Sequence, residues 1–222
     1  MIVAAVPVKD LINAKQRLVP ALSPAERATL AAAMLQDVLA ALAAARLDRV
    51  WVVTRDPGVD TLARALGAEP LIEETNRGHT AAVACAQAEA ARLGARVFLT
   101  IPGDVPCVTA DEIRRLAEAA APRQPAFVPS RSGLGTNGVA LAPPDAMRLT
   151  FGEPSFEKHL AAACDLGLEP RVLALSGLGL DVDAPDDLVA LLAAPGATAS
   201  ARLVASWRAG ARAQQAGVPR AS

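Results

Sequence analysis

Tyrosine is absent from this 222-residue chain, and aromatic residues make up only 3% of it. So few rings argue against a surface that stacks nucleobases, as single-stranded nucleic-acid binders need. Charge of one sign is missing too. The 22 Lys and Arg against 23 Asp and Glu leave a formal net charge of −1. No global field therefore gathers nucleic acid or a membrane surface. Cysteine is scarce: Cys85, Cys107 and Cys164 are odd in number and form no CxxC. That excludes a zinc framework and fits a reducing cytoplasm. Cys85 and Cys164 fall in Ala-rich helical runs and read as small core residues. No Gly-rich GKS or GKT stretch is present, so a P-loop is excluded. The first residues lack a basic region followed by a long apolar one, and no apolar run reads as membrane-spanning. With only His79 and His159, no Ser/His/Asp nucleophile system recommends itself.

What is present is an apolar, Ala-rich chain with strand and helix in alternation. Hydrophobic residues reach 52%, enough to fill a core with Ala, Leu and Val. A strand is expected over 2–6. Ser23-Pro24-Ala25-Glu26 is a capping box with Pro in the first turn, opening a helix to about 45. A strand over 49–54, a helix over 58–66 closed by Gly67, and a strand over 69–72 follow. A polar loop at 73–80 leads into a helix over 81–93. Thr109-Ala110-Asp111-Glu112 is a second capping box, starting a helix to about 120. Beyond Pro122 the rhythm loosens. Short strands are expected over 126–128, 139–141 and 171–175, and helices over 156–166, with Ser155 as cap, and from 185. Alternation in the front half implies parallel βαβ units with right-handed crossovers. The rear half implies an antiparallel excursion. The expected fold class is α/β, with a core domain over 1–194. An Ala/Gly/Arg-rich tail over 195–222 would be partly helical or disordered, with Leu203, Val204 and Trp207 on one apolar face.

The chain is organised around Val97-Phe98-Leu99-Thr100-Ile101-Pro102-Gly103-Asp104. An apolar run reads as a buried parallel strand, and Pro102-Gly103 stops it. Asp104 then stands just past the carboxyl end, the edge where open α/β sheets bind ligands. A carboxylate there suits a hard cation such as Mg²⁺, and equally suits a turn that caps the next helix. Asp181-x-Asp183 adds two carboxylates which, on a strand, point the same way. Asp183 could instead be an N-cap. Lys9, Lys15 and Arg17 follow the first strand and suit a triphosphate, or are simply a solvated basic loop. Gly133-Leu134-Gly135-Thr136-Asn137-Gly138 offers backbone N–H groups and a hydroxyl. Ser155 opens a helix, a place for a phosphate or carboxylate. His79, in the polar loop, is placed to meet a ligand, whereas His159, inside a helix, reads as structural.

Taken together, Pro7-Val8-Lys9, Ala14-Lys15-Gln16-Arg17-Leu18, Pro102-Gly103-Asp104-Val105-Pro106, Gly135-Thr136-Asn137, Phe151-Gly152-Glu153-Pro154-Ser155-Phe156 with His159, and Leu180-Asp181-Val182-Asp183-Ala184-Pro185-Asp186-Asp187-Leu188 resemble the phospholactate guanylyltransferase family. The match runs in order over about 1–193. The resemblance implies a Rossmann-like, glycosyltransferase-A-like nucleotidyltransferase: a three-layer sandwich on a mostly parallel sheet. It implies transfer of GMP from GTP to 2-phospho-L-lactate, phosphoenolpyruvate or 3-phosphoglycerate, with release of pyrophosphate, in the synthesis of the deazaflavin coenzyme F₄₂₀. It implies Mg²⁺ on Asp104, Asp181 and Asp183. Lys9, Lys15 and Arg17 would lie on phosphates, Lys15, Arg17 and Asp104 at the chemistry, and Thr136, Gly152 and Ser155 on the acid. Gly78 and Thr80 would meet the nucleotide; Thr80 stands where the family usually has Asn. The partners are then GTP and a small phosphorylated acid, with no nucleic acid and no membrane; a homodimer is compatible with the sequence. Alternatives are a nucleotidyltransferase for a sugar phosphate or molybdopterin, a nucleotide-binding module without catalysis, and a plain α/β scaffold.

Overall fold

A computed structural model of the chain describes residues 1–11, 14–72 and 78–216. Residues 73–77 of the loop expected over 73–80 and the end of the tail, 217–222, lie outside the described residues. The strands are β1 (Ile2–Pro7), β2 (Arg49–Thr54), β3 (Glu69–Ile72), β4 (Val97–Thr100), β5 (Ala126–Pro129), β6 (Thr136–Leu141) and β7 (Arg171–Val172). The helices are α1 (Pro24–Ala45), α2 (Pro57–Ala65), α3 (His79–Arg92), α4 (Ala110–Ala119), α5 (Ser155–Asp165), α6 (Pro185–Ala193) and α7 (Ala199–Ala216). One sheet runs in the order β3-β2-β1-β4-β6-β5-β7. Only β6 is reversed: it pairs antiparallel with β4 and β5, and every other pairing is parallel.

The alternation of side chains along a strand sorts the core into two layers. Ala4, Val6, Val52 and Leu99 face α1, α2 and α4, meeting Leu35, Leu39, Val59 and Leu116. Val3, Ala5, Val53 and Phe98 face α3 and α5, meeting Val83, Ala86 and Ala163. This is the three-layer α/β sandwich. Leu30 and Met34 on the outer side of α1 meet Leu188 and Leu191 of α6 and Val204 of α7. Helix α1 is therefore apolar on two faces because it is packed on two. By length and composition it is apolar enough to cross a membrane, contrary to the sequence expectation that no run is; the cause is this double packing. Both capping boxes form: Ser23 Oγ accepts from Glu26 N–H at 3.3 Å, and Thr109 Oγ1 from Glu112 N–H at 3.2 Å.

The rear half departs from expectation in five places. Cys164, read as a small core residue, is exposed on α5. Strand β6 begins at Thr136, inside the stretch read as a Gly-rich turn. Strand β7 keeps only two residues of the five expected. Asp181 and Asp183 are not on a strand; the segment has no ladder, and Val182 N–H alone donates to the Asp104 carbonyl at 3.0 Å. Leu180 and Val182 are nonetheless buried, while Asp181 and Asp183 between and beside them stay partly exposed. Ser155 is not a cap. Pro154 holds the N-cap position of α5, and the Ser155 hydroxyl is bonded elsewhere. Of the apolar face expected in the tail, Val204 is buried and Trp207 packs beside it.

Candidate active site

The carboxyl edge of the sheet collects charged groups from three distant parts of the chain. Past β1 the loop returns at Lys15, whose backbone is left-handed at φ 58°, ψ 45°. That conformation is unusual for a side-chain-bearing residue and marks a position held by its surroundings. Here the holding groups are visible. Leu18 at the end of the following 3-10 turn (Gln16–Leu18) is fully buried. Lys15 Nζ lies 2.5 Å from Asp104 Oδ2 and 2.6 Å from Asp183 Oδ1, with only 7% of its side chain exposed. Burial opposes the ammonium charge, but the two carboxylates and their hydrogen bonds outweigh it, and the Lys15 pKa is raised.

Each carboxylate has its own support. The chain past β4 carries Asp104 out, after Ile101 N–H bonds the Ala5 carbonyl. Asp183 is not an N-cap. Ala184 holds the N-cap position of α6, and Asp187 Oδ2, in its first turn, reaches back to accept from Asp183 N–H at 3.0 Å and Ala184 N–H at 2.8 Å; Arg131 steadies Asp187 at 2.5 Å. Asp181 turns to Asn137, whose Nδ2 donates to it at 3.0 Å and to the Gly179 carbonyl at 3.1 Å. Burial raises the Asp181 pKa; the repulsion of Asp104 and Asp183 adds to this, and the Asn137 bond opposes it. The three aspartates thus feel one another, yet among the described residues no three His, Cys, Asp or Glu side chains stand together as a metal-holding group. What brings Asp104 and Asp183 together is the Lys15 ammonium. The aspartates offer hard oxygen donors, the type a divalent cation takes, so the donor chemistry fits one.

Two adjoining hollows open beside this cluster, of about 150 and 170 Å³, sharing Pro7, Val8, Lys9 and His79. The first reaches Lys15 and Asp104; the second reaches Thr54, Arg55 and Gly78. Lys9 is exposed at their common wall. Neither alone takes a whole nucleotide. His79 reaches solvent, but the atoms packed behind it lower its pKa, against the pull of Asp104.

A second polar nest lies across the reversed strand. Because β6 runs backwards, its first residues arrive at the edge where β4 ends. Thr136 and Ser155 are buried, and Ser155 Oγ donates to Thr136 Oγ1 at 3.3 Å. His159 Nδ1 is 3.0 Å from the same oxygen, and its Nε2 accepts from Thr150 N–H at 3.0 Å. Burial lowers the His159 pKa to about 4, so the ring is neutral at ordinary pH. Gly152 has φ 108°, where any side chain would be strained, which lets the loop fold over this nest.

The structure therefore joins Lys15, Asp104 and Asp183 directly and puts Asp181 beside them. Thr136 and Ser155 touch, with Gly152 in the adjoining loop. Arg17 is exposed, and among the described residues no hydrogen bond or ion pair ties it to the cluster. Gly78 precedes α3 and lines the second hollow. Thr80 Oγ1 accepts from Phe151 N–H at 2.9 Å, so this hydroxyl holds the loop of the second nest. Sequence reasoning passed over Arg55 and the support that Asn137 gives. Arg55 directly follows β2, so the rule that picked Asp104 would have found it.

Solved structures share this architecture. A nucleotidyl transferase from Methanothermobacter thermautotrophicus is 17% identical over 86% of this chain and 95% of its own, with a TM-score of 0.65. A candidate nucleotide-diphospho-sugar transferase from Desulfovibrio desulfuricans is 16% identical over 96% and 97%, at 0.75. Such likeness speaks to the fold, which is that of the nucleotidyltransferases. Sequence carries the assignment further. A family model described as "Guanylyl transferase CofC like" matches residues 2–211. A phosphoenolpyruvate guanylyltransferase of Sphaerobacter thermophilus is 43% identical, covering 84% of this chain and 90% of its own. A 2-phospho-L-lactate guanylyltransferase of Methanothermobacter thermautotrophicus is 38% identical, covering 83% and 81%. The chain belongs to the CofC-like guanylyltransferase family, and is an enzyme of guanylyl transfer in coenzyme F₄₂₀ biosynthesis.

Proposed function

We propose that the enzyme transfers GMP from GTP to phosphoenolpyruvate, releasing pyrophosphate, in the cytoplasm. One observation carries the reading. The Lys15–Asp104–Asp183 cluster lies at the strand tips beside the two hollows, and the nest of Thr136, Ser155 and His159 meets the same edge from the reversed strand. The first suits a triphosphate and the second a small anion. The name of the 43% identical relative favours phosphoenolpyruvate over the other two acids. The three free cysteines suit a reducing compartment.

In this reading an oxygen of the acceptor phosphate attacks the α-phosphorus in line, and pyrophosphate leaves. A phosphate dianion needs little deprotonation, so the lack of a free general base is no obstacle. Lys15 lowers the repulsion between two anionic reactants, with Lys9 and Arg17 further along the phosphates. Thr136, Gly152 and Ser155 hold the acid so that the reacting atoms meet. A divalent cation, Mg²⁺ in this proposal, would be held by Asp104 and Asp183 with Asp181, and would supply Lewis-acid polarisation and neutralising charge at the phosphates.

The test is pyrophosphate release from GTP, CTP and ATP, each with phosphoenolpyruvate, 2-phospho-L-lactate and 3-phosphoglycerate. Release with GTP and phosphoenolpyruvate alone is the expected pattern. Release with another acid moves the acceptor, and none with any pair overturns the reading.

A further inference from the structure

The acid nest contains a histidine that the transfer reaction does not call on. Its ring is 1% exposed and cannot turn. It stacks flat on Phe127, with centroids 5.7 Å apart and planes at 10°. Phe151 meets its face edge-on at 5.1 Å and 72°. Both histidines and two of the four phenylalanines of the chain lie in this one row, since His79 stands 4.4 Å beyond Phe151. So rigid a ring has a definite hydrogen-bond direction at each nitrogen.

Those directions can be solved. A backbone N–H can only donate, so Nε2, 3.0 Å from Thr150 N, accepts and carries no proton. The neutral ring then has its proton on Nδ1, which donates to Thr136 Oγ1 at 3.0 Å. Ser155 Oγ donates to the same oxygen. A hydroxyl oxygen has two lone pairs, and both are now filled. The hydrogen of Thr136 is all that remains, and it can only be given away.

We propose that His159 is a positioning residue, which through its fixed tautomer makes the Thr136 hydroxyl an obligate donor to an anionic oxygen of the phosphorylated acid. This rests on the reading of Thr136 as an acid contact. A hydroxyl free to rotate would accept as readily as donate, and would bind a protonated or neutral oxygen as well. One locked as a donor favours a carboxylate or phosphate oxygen and rejects groups that arrive with a hydrogen of their own. The arrangement costs no reorganisation when the acid enters.

Two measurements test it. Nitrogen-15 spectra of histidine-labelled protein report the tautomer directly, and two histidines make assignment simple. Nδ1–H is expected for His159; Nε2–H overturns the proposal. Steady-state kinetics then compare His159→Phe, which keeps the ring packing, with His159→Asn, whose amide nitrogen can replace the Nδ1–H donor. The KM for the acid should rise about tenfold in His159→Phe, the worth of one hydrogen bond. The KM for GTP should hold, and His159→Asn should recover most of the loss. Thr136→Val should raise the acid KM, and adding His159→Phe to it should change nothing more. Additive effects, equal loss in the Phe and Asn variants, or a shift in both KM values overturn the proposal. If Thr136→Val raises the acid KM but His159→Phe does not, only this inference fails. If Thr136→Val leaves it unchanged, the acid does not bind at Thr136, and both fail.

Discussion

Lys15 carries more of the site than any other side chain. Its ammonium bridges two carboxylates that would otherwise repel, and its backbone takes a left-handed turn to get there. Asp104 is the partner whose loss is most informative. In Asp104→Asn, Lys15 keeps Asp183, so the fold should survive while turnover falls by about 10² or more. Pyrophosphate release and circular dichroism check the two halves of that statement. His159 gives a pH prediction whose sign follows from burial. Its pKa falls to about 4 in the fold, from an ordinary 6.5. Between those values the unfolded chain takes up a proton that the folded one refuses, so stability drops as pH falls from 6.5 to 4. The total is about 3 kcal/mol, at about 1.4 kcal/mol per pH unit. Urea unfolding of wild type and His159→Phe at several pH values isolates this slope, because every other titrating group is common to both proteins.

At the level of elements, helices are joined by single carboxylates used as caps. Asp37 of α1 accepts from Ala199 N–H at 2.7 Å and from Ser200 N–H and Oγ at 2.9 and 2.6 Å. It thereby fixes the start of α7 on α1. Asp37→Ala should cost about 1–2 kcal/mol and unprotect the amides of α7 in hydrogen exchange, without altering acid or GTP kinetics. Glu112 does the same for a loop: besides closing its capping box it accepts from Gly177 N–H at 2.8 Å. That loop passes so close that a Cβ at Gly177 would lie 2.2 Å from the Cys107 carbonyl oxygen. Since the obstruction is backbone, Gly177→Ala should destabilise by about 1–3 kcal/mol, read as a lowered midpoint in thermal unfolding. Elements of this kind were legible in proportion to how local their causes are. Both capping boxes, the helix α1 and the strand β2 follow from neighbouring residues, and they appear where the sequence puts them. Strand β6 was shortened in the reading because Thr136-Asn137-Gly138 has the composition of a turn, and its pairing with β4 spans about 40 residues. The strand expected at 181–183 fails because the segment finds one hydrogen bond at Asp104 rather than a ladder.

For the whole molecule, the rule that ligands gather at the carboxyl tips of parallel strands singles out Asp104 and the basic loop from sequence, and the structure brings Lys15 of that loop to Asp104. The rule could not find Thr136, which reaches that edge at the beginning of a strand running the other way. The nest of Thr136 and Ser155, proposed here for the acid, came from the family resemblance instead, and the contacts inside it came only from the fold. The Lys15 bridge was also out of reach, since it unites positions 15, 104 and 183. The reversal of β6 leaves Lys15, Asp104 and the hollows before about residue 125 and the nest proposed for the acid after it, with Asp183 returning to the Lys15 cluster from the rear of the chain. An exchange of 126–172, which spares Asp181 and Asp183, with the corresponding stretch of the 2-phospho-L-lactate relative should therefore change acceptor preference while GTP is kept over CTP, as the same pyrophosphate assay would report.

That single turned strand also bears on how such an enzyme could diversify. In the proposed reading the acid's contacts, Thr136, Gly152 and Ser155, lie on the reversed strand and on the loop and helix after it, apart from Lys15 and Asp104, so mutations that retune one grip need not trade against the other. New acceptors could then be explored by drift between β6 and α5 alone, with Lys15, Asp104 and Asp183 carried along unaltered.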